Sequence, residues 1–153
     1  MAQLDNQAYA GFWRRVLASL LDWAVVGFPS FFVSLIAYRV SYGPTPAPQD
    51  QSAVTFVRWI TAGVFVVVFI GQWLYFALME SSSKQATLGK LIAKIRVTDL
   101  SANRISFGRA SARYFAKYIS SITFLIGYLM AGFTQRKQAL HDIIAETLVL
   151  RSG

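Results

Sequence analysis

Two residues of opposite charge, Arg15 and Asp22, mark the first apolar stretch of the chain and are its first candidates for chemistry. Residues 16–38 suffice to cross a bilayer, since a span needs about 20 mostly apolar residues. Arg15 and Asp22 are seven positions apart, so on a helix they share one face. An ionisable group inside a span is energetically expensive and by default marks a functional or pairing site. A carboxylate there can exchange a proton or a monovalent cation, which is the chemistry of an ion-coupled transporter.

Asp22 also has a structural interpretation. As part of an internal ion pair it would lock the first helix against a later segment, with Arg113 or Lys117 as its partner. Gln72, in the second apolar run, lies roughly 12 Å from the end of that run at Glu80, a depth close to that of Asp22. An amide at that depth can belong to a polar site or can simply bond across helices. The residues alone leave both interpretations open.

The composition is that of a membrane protein. The 153 residues are 55% hydrophobic and 14% charged, far from the values of soluble proteins, and they make one domain at most. The net charge of +8 would suggest a nucleic-acid partner for a soluble chain. Here the basic residues flank apolar runs or fill one loop, as in the cytoplasmic loops of membrane proteins, and nucleic acid is not expected. The chain has no cysteine, which excludes disulfides and thiolate metal sites.

A cleaved signal peptide is the alternative interpretation of the first run, because Arg14 and Arg15 form a twin-arginine pair. Signal h-regions are about 7–15 residues long and end at a small-residue cleavage site. This run is longer, contains Asp22 and ends at residues 35–39 without such a site. We therefore expect it to remain as the first span.

The hydropathy pattern predicts two transmembrane helices, over about residues 12–38 and 58–80. Pro29 should kink the first of them. Residues 81–113 carry seven Lys or Arg residues against Asp99 alone, and the positive-inside rule places this loop and the N-terminus in the cytoplasm. The protein is thus predicted to be multi-pass. The connecting loop, residues 39–57, offers no chemistry and holds three prolines: Pro44, Pro46 and Pro48.

A β-hairpin is predicted inside the charged loop. Residues 94–99 alternate between polar and apolar types, residues 101–103 supply a turn, and residues 104–107 alternate again. A hairpin of two strands is marginally stable alone. The C-terminal segment 146–151, which also has the pattern of a strand, can support it as a third strand.

The third apolar segment, residues 114–133, has two possible courses. A full span would put Arg136, Lys137 and Arg151 outside the cell, against the charge rule. A re-entrant helical hairpin, which we favour, returns the C-terminal segment 134–153 to the cytoplasmic side. The predicted fold class is thus an all-α membrane protein, one membrane domain over residues 1–153, with a small cytoplasmic β-hairpin and no evident internal repeat.

Three separated motifs, in order, give the chain a family resemblance. They are Tyr9-Ala10-Gly11-Phe12-Trp13-Arg14-Arg15 with Asp22, Gln85-Ala86-Thr87-Leu88-Gly89-Lys90 before Arg96-Val97-Thr98-Asp99, and Gln138-Ala139-Leu140-His141-Asp142 before Thr147-Leu148-Val149. Together they resemble the RDD family of bacterial membrane proteins over nearly the whole chain. That family is named for an arginine at the start of the first helix and for two aspartates.

The resemblance implies an integral protein of the bacterial inner membrane, with a proposed transport role and an unsettled ligand. Carried over, the arginine corresponds to Arg15, or to the adjacent Arg14, and the aspartates correspond to Asp22 and Asp142. Asp142 follows the third segment, where a charge-assisted contact with Arg15 would join two segments. Two spans and a hairpin enclose too little for a pathway, and we therefore expect a homo-oligomer.

The remaining candidates carry less chemistry. His141 beside Asp142 suggests a metal, but a metal needs three or four ligands, and no Cys, second His or nearby carboxylate cluster supplies them. No nucleophile, base and orienting group occur together, and we expect neither an enzyme nor a cofactor. Residues 88–93 are predicted to form an interfacial helix at which three lysines meet anionic lipid headgroups: Lys84, Lys90 and Lys94.

Overall fold

The computed structural model describes residues 8–42, 51–122 and 126–152. In chain order its elements are α1 (Phe12–Asp22), a π-helical turn (Trp23–Gly27), α2 (Phe28–Tyr42), α3 (Gln51–Ser81), α4 (Leu88–Ile92), β1 (Ile95–Asp99), α5 (Phe107–Ile122), α6 (Ile126–Phe133), α7 (Leu140–Ile144) and β2 (Thr147–Arg151).

Two helical stretches are long and apolar enough to cross a membrane, Phe12–Tyr42 and Gln51–Ser81, and the bent pair of α5 and α6 would make a third if it is one span. Both helices are longer in the structure than the predicted spans, residues 12–38 and 58–80. The second helix begins at Gln51 rather than near Arg58, and in its first turns Thr55 Oγ1 donates to Gln51 O at 2.8 Å. The predicted proline-rich loop falls mostly on residues 43–50, which lie outside the described residues.

Pro29 changes the helix type rather than ending the helix. Its ring removes a backbone donor and clashes with the carbonyl four residues earlier, that of Val25. Val25 lies in the middle of the π-helical turn Trp23–Gly27, where the wider turn relieves this conflict. The predicted irregularity is therefore observed as a π turn directly before Phe28.

The chain divides into two compact units, one formed by Met1–Asp22 with Trp73–Gly153 and the other by Trp23–Gln72. In the second unit the hydroxyls of Ser41 and Thr61 bond to each other. The first unit contains the sheet, the short helices and nearly all the candidate residues, and the site described below lies within it.

The sheet differs from the predicted hairpin. β1 pairs antiparallel with β2, from Ile95 opposite Arg151 to Asp99 opposite Thr147, and residues 104–106 belong to no strand. The prediction that residues 104–107 form the second strand is wrong, because Ser106 Oγ accepts from Arg109 N at 3.2 Å and starts α5 instead. The C-terminal strand, expected only as a support, is the true partner.

The core of the first unit lies against one face of this sheet. Ile95, Val97 and Val149 are each 1% exposed or less and pack with Ile105. The N-terminal segment adds to the other edge of β2, where Ala10 N donates to Val149 O at 2.8 Å. Residues from both ends of the chain are thus fixed to the same small sheet.

A helix–strand unit occurs twice in the first unit, although no internal repeat is evident in the sequence. α7 follows α4 and β2 follows β1 at the same distance, 52 positions (Leu88 to Leu140, Ile95 to Thr147). In each copy one left-handed residue joins helix to strand, Lys94 with φ of 53° and Glu146 with φ of 51°. The equivalent Val97 and Val149 face each other in the ladder, which places a local pseudo-twofold axis between them.

Candidate functional site

Asp22, at the end of α1, caps the N-terminus of α4. Its Oδ1 accepts from Gly89 N at 2.8 Å and from Tyr75 Oη at 3.3 Å, and its Oδ2 accepts from Thr87 Oγ1 at 2.5 Å. The first N–H groups of a helix lack partners inside the helix, and a carboxylate from another segment can satisfy them. Asp22 is only 3% exposed. The carboxylate therefore fixes α1 to the loop and short helix that follow α3.

Gly89 allows this close approach. A Cβ at position 89 would lie 2.8 Å from both Cγ and the backbone N of Asp22 and would also clash with Ala18 O. Any larger side chain would therefore push α4 away from α1. The glycine in the second family motif is thus explained by contact with the aspartate of the first.

The donors to Asp22 are neutral. Within the described part of the chain, no Lys or Arg nitrogen lies within 4.0 Å of its carboxylate, and the ion pair considered with Arg113 or Lys117 is absent there. Gln72 belongs to the other unit and is half-buried. Its part in the site remains a prediction.

Arg113 of α5 is the centre of a separate ion-pair network. Its Nη1 donates to Glu80 Oε2 at 2.8 Å, and its Nη2 lies 2.7 Å from Asp142 Oδ1. Glu80 lies at the end of α3. Its Oε1 forms a close ion pair with Lys90 of α4, and Lys117 Nζ lies 3.8 Å from the same oxygen. The network therefore joins α3, α4, α5 and α7.

Asp142 forms an ion pair with Arg15 of the first helix, the contact that was predicted from the sequence. Arg15 Nη1 bonds to Asp142 Oδ2, Arg15 Nε donates to Ala10 O at 3.2 Å, and Ala139 N donates to the same Oδ2 at 3.1 Å. Arg14 is exposed. Arg15, and not Arg14, is thus the arginine that this geometry brings to the site.

The buried groups outside the spanning helices have shifted pKa values. Burial alone would raise the pKa of Asp142, but Arg113 and Arg15 outweigh it and hold the pKa well below its usual range. Burial lowers the pKa of Lys90, with Glu80 opposing the shift. Burial also lowers the pKa of His141, to about 3, and this imidazole is therefore neutral at pH 7.

Sequence reasoning missed Glu80 and misplaced Lys90. Lys90 was expected at the lipid headgroups, but it is 8% exposed because its ammonium turns inward to Glu80. The available signal was a lone carboxylate, ten positions before a lysine on a short helix, at the end of a span whose one other charged residue, Arg58, is near its opposite end. Thr87, Gly89 and Tyr75 were also missed as partners of Asp22, because hydroxyl and backbone donors leave no charge pattern.

The second helix–strand copy is held in a different way. Arg113 and Ser120 are seven positions apart on α5, as Arg15 and Asp22 are on α1, and α5 packs against α7 as α1 packs against α4. Ser120 Oγ lies 3.3 Å from Nδ1 of His141, and His141 is equivalent in the repeat to Gly89. A neutral serine thus occupies the position that the first copy gives to Asp22.

No metal centre is formed in the described ranges, where no three His, Cys, Asp or Glu side chains come together. His141 Nε2 lies 3.5 Å from Asp142 Oδ1, and its ring packs against Tyr128. Asp142 is already engaged by two arginines, and His141 is therefore a packed core histidine beside the network.

These features define a class of protein: a small, mostly helical membrane protein with a buried charge network at the ends of helices that are able to span a membrane. The RDD family model matches residues 9–146, and the chain belongs to the RDD family. The family resemblance carried by the three motifs is thus confirmed.

Two relatives from Bacillus subtilis (strain 168) match almost end to end. The uncharacterized protein YxaI is 33% identical over 146 residues, 92% of this chain and 96% of YxaI. The uncharacterized membrane protein YteJ is 32% identical over 152 residues, 97% of this chain and 85% of YteJ. The proline-rich antigen homolog of Mycobacterium tuberculosis (strain ATCC 25618 / H37Rv) is 26% identical over 162 residues, 95% of this chain and 64% of that protein. No solved structure matches this chain.

Proposed function

We propose that this RDD protein carries a small ion or solute across the bacterial inner membrane, with Asp22 as the acid that binds and releases a proton or a monovalent cation. One observation carries the proposal: Asp22 is a buried carboxylate on a helix able to span a membrane, and its described donors are all neutral. Glu80 and Asp142 are held in direct ion pairs and are unsuited to exchange. No described Lys or Arg nitrogen lies within 4.0 Å of the Asp22 carboxylate, which leaves a place for an incoming cation.

The repeat supports a role for Asp22 beyond packing. The contact of α5 with α7 includes the ion pair of Arg113 with Asp142, but at the position equivalent to Asp22 it has Ser120, which lies beside the neutral His141. A carboxylate at that particular position is therefore not required for packing a helix against this helix–strand unit. A buried charge is costly at membrane depth, and its presence at this position in one copy alone favours a functional reason.

The proposal includes a topology. The N-terminus and residues 81–113 lie in the cytoplasm, and α5 and α6 form a re-entrant hairpin. The pairing of β1 with β2 supports this arrangement, because β1 follows α3 and β2 follows α6, and both must reach one sheet. The positive-inside rule then assigns that side to the cytoplasm.

The proposed partners are lipids and further copies of the chain. Lys84 and Lys94 are exposed beside α4 and would contact anionic headgroups, each contributing about 1 kcal/mol near the surface. A pathway through one chain would be bounded by at most three spans, and we therefore propose a homo-oligomer. We assign no enzymatic activity.

Proteoliposomes test the proposal. Purified wild type is reconstituted with the pH indicator pyranine inside, and Na⁺ or K⁺ gradients are imposed. We expect cation-dependent proton movement, reduced to the rate of protein-free liposomes by Asp22→Asn, which keeps the shape and one acceptor oxygen. Glu146→Gln is the matched control, because Glu146 is an exposed acid with a 3.4 Å surface pair to Arg109. Unchanged movement with Asp22→Asn, or no movement with wild type under either gradient, would reject the proposal.

A second candidate function is that of a non-transporting accessory or assembly protein in the membrane. The saturated ion pairs of Glu80 and Asp142 favour it, since they lock helices together without needing a substrate. Under this alternative, Asp22→Asn lowers the yield of folded protein and wild type moves no cation. Size-exclusion profiles recorded beside the flux assay distinguish the two functions.

A further inference from the structure

A proton that reaches the buried carboxylate of Asp22 has to pass the groups that surround it. The three described donors to this carboxylate belong to residues that differ in their exposure. Thr87 is fully buried, Gly89 is buried, and Tyr75 is half-buried. Tyr75 is therefore the one described donor to Asp22 that also reaches the surface of the first unit.

The hydroxyl of Tyr75 lies between a donor and an acceptor. Its oxygen accepts from Leu88 N at 3.1 Å, and its O–H donates to Asp22 Oδ1 at 3.3 Å. A phenolic group donates and accepts at the same time. Leu88, the residue that contacts this oxygen, is 43% exposed. A proton donor at the surface can therefore reach the same oxygen that donates to Asp22.

The other two donors offer no such route. Thr87 Oγ1 donates to Asp22 Oδ2 at 2.5 Å, but its residue has no exposed surface from which the hydroxyl could be reprotonated. Gly89 donates through its backbone N, at 2.8 Å from Oδ1. The lone pair of a peptide nitrogen is delocalised into the amide bond, and that nitrogen does not accept a replacement proton.

We propose that Tyr75 relays protons between the surface and Asp22. During uptake, the phenolic proton passes to Asp22 Oδ1 while a hydronium ion gives a proton to the Tyr75 oxygen and becomes water. The phenol thus ends neutral, and the carboxylate becomes a carboxylic acid. Release follows the same steps in reverse. The relay rests on the proposed exchange at Asp22 and adds the residue through which the proton travels.

A purely structural role for Tyr75 can be separated from the relay at Leu88. Leu88 is the first residue of α4, and its N–H, which donates to Tyr75, lacks a partner inside the helix. Proline is favoured at this first position, and Thr87 before it has the extended backbone that a following proline requires (φ −71°, ψ 170°). Leu88→Pro therefore removes the capping bond and keeps the hydroxyl beside Asp22.

Infrared spectroscopy after a rapid drop in pH tests the relay on the full chain in detergent. The band to follow is the carboxylic-acid band of wild type that Asp22→Asn lacks. We expect this band to appear about 100-fold more slowly in Tyr75→Phe, with the same final height, because a positioned proton donor is lost. Leu88→Pro should keep the wild-type rate. Tyr38→Phe is the matched control, since Tyr38 is an exposed tyrosine on α2, and it should also keep that rate.

The outcomes separate the relay from the exchange on which it rests. Equal rates for wild type and Tyr75→Phe, or equal slowing by Tyr75→Phe and Leu88→Pro, would overturn the relay and leave exchange at Asp22 standing. A wild type without any band that depends on Asp22 rejects the exchange and the relay together. If Tyr75→Phe does not fold, the wild-type rate in mixtures of H₂O and D₂O decides. A curved dependence on the deuterium fraction indicates two protons in transfer, whereas a linear one overturns the relay.

Discussion

Arg113 and Asp142 are joined by two contacts to one oxygen: Nε at 2.8 Å and Nη2 at 2.7 Å from Oδ1 of Asp142. The third nitrogen of the same guanidinium, Nη1, donates to Glu80 at 2.8 Å. Arg113 is 2% exposed and Asp142 is fully buried. One planar side chain therefore links the end of the second spanning helix to the short helix that precedes the C-terminal strand, and the stability of the first unit depends on it.

Arg113→Met is expected to destabilise the protein strongly. It leaves the carboxylates of Glu80 and Asp142 short of a cation while both stay buried, and breaking a buried pair in this way costs about 3–5 kcal/mol. The measurement is Tm and monodisperse yield in detergent. Arg113→Lys should lie between wild type and Arg113→Met, since one ammonium cannot reproduce three directed donors. Equal Tm values for wild type and Arg113→Met would contradict this assignment.

The neighbours Arg14 and Arg15 should behave differently when each is replaced by glutamine. Arg15→Gln removes a charge-assisted bond to the buried Asp142, whose ion pair with Arg113 remains. We expect the free energy of unfolding to fall by about 1–3 kcal/mol. Arg14 is exposed, and Arg14→Gln should change stability by less than about 0.5 kcal/mol. Paired thermal unfolding curves measure the difference. A larger effect at Arg14 would show that the wrong arginine has been assigned.

Gly89→Ala is expected to separate α4 from α1. The new Cβ would lie 2.8 Å from Asp22 Cγ, and such overpacking costs about 1–3 kcal/mol or more. Gly108→Ala is the matched control, since a Cβ at that position meets nothing within 4 Å and replaces glycine in a helix. The control should stay within about 1 kcal/mol of wild type and can even be more stable. The contact between Gly89 and Asp22 is refuted if both variants unfold at the same temperature.

Stability should fall with acid because of His141. In the folded chain its pKa is about 3, because of burial, whereas the free side chain has a pKa near 6.5. Between these pH values the unfolded chain binds a proton on His141 that the folded chain does not bind. The contribution of neutral His141 to the free energy of unfolding is therefore complete above pH 6.5 and is lost progressively toward pH 3. We expect a loss of roughly 2 kcal/mol between pH 7.5 and pH 5.

His141→Gln provides the comparison for this prediction. The variant lacks the titrating imidazole and should show a flatter dependence of Tm on pH over that interval. The groups around the imidazole are Asp142, Arg113, Lys117, Arg15 and Ser120. Asp142 loses its own contribution only at lower pH, since its pKa is held below the usual range. Parallel pH profiles for wild type and His141→Gln would exclude His141 as the source.

The sequence was sufficient for the two apolar helices and for one pair of residues in the site. The apolar runs indicated both helices. The ion pair of Arg15 with Asp142 was predicted because the two residues have opposite charges and each lies next to an apolar segment. The sequence was insufficient for Glu80 and Lys90, because a charge at a helix end is equally consistent with an exposed side chain. The partner of β1 was also missed, since the alternation over residues 104–107 resembles a strand although Ser106 begins a helix.

The repeat shows a further limit of sequence reasoning. Its two copies differ at most positions, yet the left-handed residues Lys94 and Glu146 and the pairing of Val97 with Val149 match in the backbone. A positive φ is uncommon in lysine or glutamate, and the residue types at these two positions therefore do not predict it. The equivalence of Asp22 and Ser120 could therefore be recognised only from the structure.

Cation exchange at Asp22 is tested by comparing Asp22→Asn with Asp142→Asn in one series of proteoliposome flux measurements. We expect Asp22→Asn to insert and elute like wild type but to move protons no faster than empty liposomes. We expect Asp142→Asn to fail earlier, at folding, because Arg15 and Arg113 lose their buried anion. Proton movement by Asp22→Asn at the wild-type rate would contradict the central claim that this acid is the exchanging group.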